Sequence, residues 1–165
     1  MRARLLVIAV VVAALVVAVP TVLVPPAKAA AINVSAASEH RIRLAVNRYA
    51  EIQVAQREPY CYGGTGPGCF DCSGLVVAAY RYAGVNLPGR GIRTSTQLRS
   101  WTTGTSLKYA RTGDLLLYSG HVEIFYRKNG SGPAMAVSAT HSGGPPVNFH
   151  PIRRSGLLKV GKVVT

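Results

Sequence analysis

Hydrophobic and polar positions change period along the chain, and the changes mark its elements. An unbroken apolar run from Leu5 to Val19 opens it, preceded by two arginines. From Ser38 to Pro59, Ile42, Ala45, Val46, Tyr49, Ala50 and Ile52 recur near every 3.6 residues, the stripe of an amphipathic helix. Ser38 is placed to cap that helix and Pro59 to close it. "YCYGGTGPGCFD" is a loop by composition, and Ser73–Ala83 reads as a second helix ended by Gly84. Residues 94–101 suggest a short third helix. After them come "GDLLLYS", "HVEIFY", "AMAVSAT", "PVNFHPI" and "LLKVGKVV", short β-rich runs split by glycine-containing turns. That spacing predicts a meander of antiparallel strands. Helices first and strands after imply an α+β domain, with N-terminal helices packed on a five- to six-stranded antiparallel sheet.

The first segment stands apart. A charged start, an apolar middle and small residues at Ala27 and Ala29 have the organisation of a secretory leader, expected over residues 1–29. The apolar stretch also approaches the roughly 20 residues that span a bilayer, so an N-terminal anchor is the rival reading; Pro20 favours cleavage. Either way the remaining chain lies outside the cytoplasm. Residues 30–37 read as a linker, and residues 38–165 suffice for one domain with a core.

The chain carries 19 Lys and Arg against 6 Asp and Glu, a formal net charge of +13. Only three of those basic residues lie in the leader. For an exported protein such basicity favours an anionic surface, a cell wall or lipid headgroups, over nucleic acid. The basic residues are scattered, so charge alone names no partner. A membrane partner follows only if the first segment stays attached.

Three cysteines in a small exported domain leave one unpaired. Cys61 and Cys69 flank a flexible glycine-rich loop and suit a disulfide in an oxidising compartment. Zinc is disfavoured, because there is no C-x-x-C pair and no fourth ligand nearby. Cys72 is then free, at the point where the loop turns into a helix. There, unpaired backbone N–H groups and the helix dipole stabilise a thiolate, and the same N–H groups can receive an oxyanion. A thiolate nucleophile needs a base. His40 is expected to face solvent and His150 to sit on a surface. His141 lies at a strand end. His121 opens a strand directly after a tight turn, where a rigid sheet can aim its ring at a helix terminus.

"PYCYGGTGPGCFDCSGLVVAAYRYAGVNLP" followed by "TGDLLLYSGHVEIFY" closely resembles the NlpC-type cell-wall cysteine peptidases, papain-like hydrolases of peptidoglycan stem peptides. The "YxxGG" loop, "FDCSGLV" helix start, "GDL" strand and "HVxIY" strand occur in the family's order, over roughly residues 40–152. The resemblance implies Cys72 as nucleophile, His121 as base, and Tyr60, Asp71 and Ser73 along the substrate groove. It implies cleavage after a γ-linked D-glutamate, with Asp71 towards the amine side of the peptide. No cofactor or metal is implied, and a monomer is expected. The third polar residue, which orients the imidazole, is where this chain departs. The family's register places it at Ser138, and serine supports an imidazolium poorly. His141 is chemically better but displaced, and Glu123 shares the strand face of His121 by alternation. The expected order is His141, Ser138, Glu123. An amidase or acyltransferase on the same scaffold, or an inactive wall-binding module, are the rival functions.

Overall fold

The computed structural model describes residues 32–141 and 143–165. The expected leader, residues 1–29, lies outside them. Among the described residues no helix is long and apolar enough to cross a membrane.

Helix α1 spans Ala36–Gln56, α2 Cys72–Tyr82 and α3 Ser95–Trp101. Helix α1 starts two residues earlier than the sequence suggests, because Ser35 rather than Ser38 caps it: the Ser38 N–H donates to Ser35 Oγ at 3.3 Å. The expected linker is therefore shorter, and Ile32 within it bridges to Val164. At the other end the chain leaves the helix before Pro59, through Arg57 in the left-handed region (φ 56°). Helix α3 begins with a capping box between Thr94 and Gln97.

Six strands form one antiparallel sheet: β1 Thr103–Thr105, β2 Leu115–Leu117, β3 Val122–Tyr126, β4 Met135–Ser138, β5 Asn148–His150 and β6 Lys159–Lys162. Their order is β1-β6-β2-β3-β4-β5. Only β2 to β5 form the expected meander. The last strand crosses back and inserts between β2 and β1, and β1 itself has too few apolar residues to be read from pattern.

One face of the sheet, with Leu115, Leu117, Ile124 and Val137, packs on the fully buried Leu75, Val76, Ala79 and Tyr80 of α2. The other carries Leu116, Phe125, Ala136 and Val160, covered by loop residues such as Leu107, Ile152 and Leu157.

Helix α1 departs from the simple apolar stripe. Its buried side includes Glu39, Arg43, Asn47 and Gln53 beside Val46 and Ala50. Arg43 Nη1 lies 2.6 Å from Asp114 Oδ1 and Nε 2.9 Å from Glu39 Oε1, while Nη2 donates to the Val164 carbonyl at 3.0 Å. Burial pushes the Asp114 carboxyl upward even though Arg43 pulls it down. The pair therefore ties α1, the start of β2 and the C-terminal segment together without being a source of net stability, as desolvation predicts. The aspartate of "GDL" is thus a structural anchor, far inside the protein at 0% exposure.

Candidate active site

Helix α2 starts at Cys72, one residue earlier than expected, because Asp71 is an N-cap whose Oδ1 accepts from Gly74 N–H at 2.6 Å. The same oxygen accepts from Ser73 Oγ at 3.0 Å, and Oδ2 accepts from Gly63 N–H at 3.0 Å. Asp71 therefore fastens the glycine-rich loop to the helix start. A close backbone approach completes the joint: a Cβ on Gly74 would lie 1.8 Å from the Gly64 carbonyl oxygen, so only glycine fits. Cys61 and Cys69 are bridged within this loop, with Cα atoms 5.6 Å apart, and Cys72 is the free, half-buried cysteine. Leu75 N–H is taken by the Asp71 carbonyl. The N–H groups of Cys72 and Ser73 remain as first-turn donors that helix geometry leaves without an intrahelical acceptor.

His121 comes from the β2–β3 turn. Gly120, at φ 69°, supplies the left-handed residue of that turn, and Tyr118 N–H donates to the His121 carbonyl at 3.0 Å. The sheet thus holds the ring against the start of α2, beside the Cys72 thiol. On its other side, His121 Nε2 lies 3.3 Å from Glu123 Oε1. The contact is close enough for an ion pair but too bent for a well-formed hydrogen bond, and Nε2 has no better partner. Burial pulls the imidazolium pKa down. The neighbouring Cys72 sulfur and the negative charge of Glu123 outweigh it and raise the ring from 6.5 to about 9.

Glu123 is fully buried, and its carboxyl is nonetheless held below the usual range. Burial opposes that shift; the neighbouring His121, His150 and Arg153 side chains overcome it. Arg153 Nη2 is 3.1 Å from Oε1, and the Tyr118 hydroxyl is 3.2 Å from Oε2 and 2.9 Å from the Arg153 carbonyl. His150 Nε2 is 3.8 Å from Oε1. This histidine was expected on the surface; instead β5 turns it inward, where its Nε2 lies 3.1 Å from Ser138 Oγ. Ser138 is 1% exposed on β4, in register with Asn148. His141 follows β4 as an exposed residue whose ring lies over Gly144, on the wall of the same cavity as His121. The carboxylate beside His121 Nε2 is thus that of Glu123, the candidate that sequence reasoning placed last. The sequence does not single out Arg153 and suggests a surface position for His150, because nothing in their local sequence marks them.

Two adjoining cavities meet at Gly120. One, of about 470 Å³, is lined by Cys72 and by Tyr60, Asp71 and Ser73, the three residues expected along the groove. The other, of about 770 Å³, is lined by His121, Glu123, His141, His150 and Arg153. Cys72 and His121 therefore face each other across the junction of a single cleft. No group of three or more His, Cys, Asp or Glu with metal-binding geometry occurs among the described residues.

A free cysteine at a helix start, an imidazole in the turn before β3 and a buried carboxylate behind it sit on an α+β fold of three helices and one six-stranded antiparallel sheet. Residues 57–144 match the model of the NlpC/P60 family, and the chain belongs to that family. It is 37% identical over 116 residues to a probable endopeptidase of Mycobacterium tuberculosis, covering 67% of this chain and 28% of that protein. A probable endopeptidase of Corynebacterium glutamicum is 32% identical over 122 residues, covering 66% of this chain and 56% of that one. The chain therefore spans about half or less of the length of these relatives. Among solved structures, the NlpC/p60 domain of the peptidoglycan hydrolase SagA is 26% identical with a TM-score of 0.54, over 73% of this chain and 97% of that one. A lipoprotein-like NLP/P60 protein of Staphylococcus aureus shares the fold, with a TM-score of 0.59 over 75% of this chain and 42% of that one at 24% identity.

Proposed function

We propose that the protein is an exported cysteine peptidase that hydrolyses amide bonds in peptidoglycan stem peptides, at the bond after γ-D-glutamate. In this reading residues 1–29 direct export and residues 38–165 are the catalytic domain. The placement of the free Cys72 at the start of α2 beside His121, with the Glu123 carboxylate 3.3 Å behind the ring, is the observation that carries it. The peptidoglycan hydrolase SagA and the muramidase/DL-endopeptidase CwlT of Bacillus subtilis, 40% identical over 67 residues covering 40% of this chain and 19% of that protein, support the substrate class.

The Cys72 thiolate attacks the amide carbonyl carbon, and the oxyanion that forms sits on the N–H groups at the start of α2. As the C–N bond breaks, the His121 imidazolium gives its proton to the departing amine. His121 then takes a proton from water, whose oxygen attacks the thioester, freeing the carboxylate and restoring the thiol. Glu123 keeps the ring oriented and favours its protonated form. Tyr60, Asp71 and Ser73 form the wall that receives the acyl side of the peptide.

Incubating the purified protein with isolated peptidoglycan, and identifying the fragments by mass spectrometry, tests this. The expected products end in γ-D-glutamate and are absent with Cys72→Ala. Iodoacetamide without reductant should label Cys72 alone and abolish release. Wild-type-like turnover by Cys72→Ala would overturn the assignment.

A further inference from the structure

Two smaller cavities lie outside the catalytic cleft and adjoin one another at Arg127. The first, of about 350 Å³, lies on the sheet face opposite the helices and is floored by Leu107, Phe125 and Ile152. Its polar lining is cationic: Lys108, Arg127 and Arg154. None of the chain's six acidic residues lines it. Lys108 and Arg154 are exposed and form no ion pair among the described residues. Arg127 is held in place, with Nη1 donating to the Gly132 carbonyl at 2.8 Å and its guanidinium 5.4 Å from the centre of the Phe125 ring. The second cavity, of about 250 Å³, continues from Arg127 to Arg111. Its one lining acid, Glu39, pairs with Arg111 and with Arg43, and Arg43 pairs in addition with the buried Asp114.

We propose that this cationic track is a binding site for a linear phosphate polymer, separate from the catalytic cleft. Lys108, Arg127 and Arg154 come from three separate segments around the first hollow, and Arg127 opens it to the second, so they match a chain of anions better than a single one. Guanidinium and ammonium groups suit phosphate oxygens, by paired donation and as a point charge respectively. Of the large apolar side chains lining the track only Leu44 is exposed, so the surface lacks the cluster of anchors that a bilayer would take up. The segment His150–Arg154 walls both regions: His150 and Arg153 face the catalytic cleft, while Ile152 and Arg154 face the track. A polymer seated there is held beside the cleft without entering it. The inference does not depend on the proposed hydrolysis, because binding is measured without turnover.

The test is titration of the protein with long-chain inorganic polyphosphate, with orthophosphate as the monomer control. Lys108→Gln combined with Arg154→Gln should weaken polyphosphate binding roughly tenfold or more and lower the slope of log affinity against log salt by about two, as loss of two anion contacts requires. Arg41→Gln combined with Arg90→Gln removes the same charge from exposed positions outside the track and should change affinity by less than about twofold. Equal losses in both double variants would reduce the effect to net charge and overturn the site. Binding of orthophosphate as tight as that of the polymer would overturn it too. So would anionic phosphatidylglycerol vesicles or duplex DNA binding more tightly than polyphosphate through the same two residues.

Discussion

Glu123 Oε1 stands 3.3 Å from His121 Nε2 and 3.1 Å from Arg153 Nη2, a fully buried carboxylate between two cations. His121 immediately precedes β3 and Glu123 is its second residue, so the alternation of the strand puts both side chains on the same side and the sheet sets their spacing. The proposed orienting group thus comes from the strand of the base, and β4 contributes only Ser138, which is occupied by His150.

Replacing that carboxylate should expose its role. Glu123→Gln keeps size but removes the negative charge that, after Cys72, raises the His121 pKa. Turnover of a peptidoglycan peptide should fall by about one to two orders of magnitude, the scale of losing an orienting or electrostatic partner. The alkaline limb of the rate, set by loss of the imidazolium near pH 9 in the parent protein, should move to lower pH. His141→Ala and Ser138→Ala should leave that limb in place. A limb unmoved by Glu123→Gln, with a fall in His141→Ala, would transfer the role to His141.

The same shift predicts how stability follows pH. His121 has its pKa raised from 6.5 to about 9 in the folded protein, so the native state holds this proton more tightly than the unfolded chain. The resulting stabilisation is complete below pH 6.5 and is lost as pH rises through about 9. Urea unfolding of the parent at pH 6 and pH 9.5 should show a drop that His121→Gln lacks. Equal pH dependence in the two proteins would mean that the ring is not stabilised as an imidazolium.

Local sequence revealed the elements whose identity is carried by nearby residues. The glycine-rich loop, the capped start of α2 and the turn before β3 each announce themselves within a few positions, which is why Cys72 and His121 stand out in the sequence as candidates. What pattern could not supply depends on strands distant in the chain. Register across β4 and β5 brings Ala136 opposite His150, and this turns His150 towards Glu123. Arg153 reaches the same carboxylate from a loop with no regular structure. The insertion of β6 between β1 and β2 is likewise a pairing choice, made by Leu115–Leu117 facing Lys159–Gly161, that periodicity within one segment does not encode. On α1, the stripe was obscured because Arg43 and Glu39 are buried with their partners, so charge there does not mark the solvent side.

Asp71 combines two jobs that substitution can separate. Its Oδ1 caps α2 through Gly74 N–H, and its Oδ2 holds Gly63 of the loop that walls the Cys72 cavity. Asparagine is as good a cap as aspartate, and its single carbonyl oxygen can still accept from Gly74. Its amide nitrogen cannot accept from Gly63 N–H, and it carries no charge. Asp71→Asn should therefore cost little of the capping energy but free the loop, raising KM for stem peptides more than it lowers Tm. Asp71→Ala loses both bonds and should cost about 1 kcal/mol or more in stability, the usual penalty for a lost N-cap, on top of the same loss in binding. Rescue separates loop from charge: Asp71→Glu restores a carboxylate that is one methylene too long for the cap. If the charge itself meets the substrate amine, Asp71→Glu should recover part of the KM lost in Asp71→Asn while remaining less stable. If the carboxylate serves only to hold Gly63 and Gly74, Asp71→Glu should be worse than Asp71→Asn in both stability and KM, and Asp71 would then be a positioning residue with no part in reading the substrate.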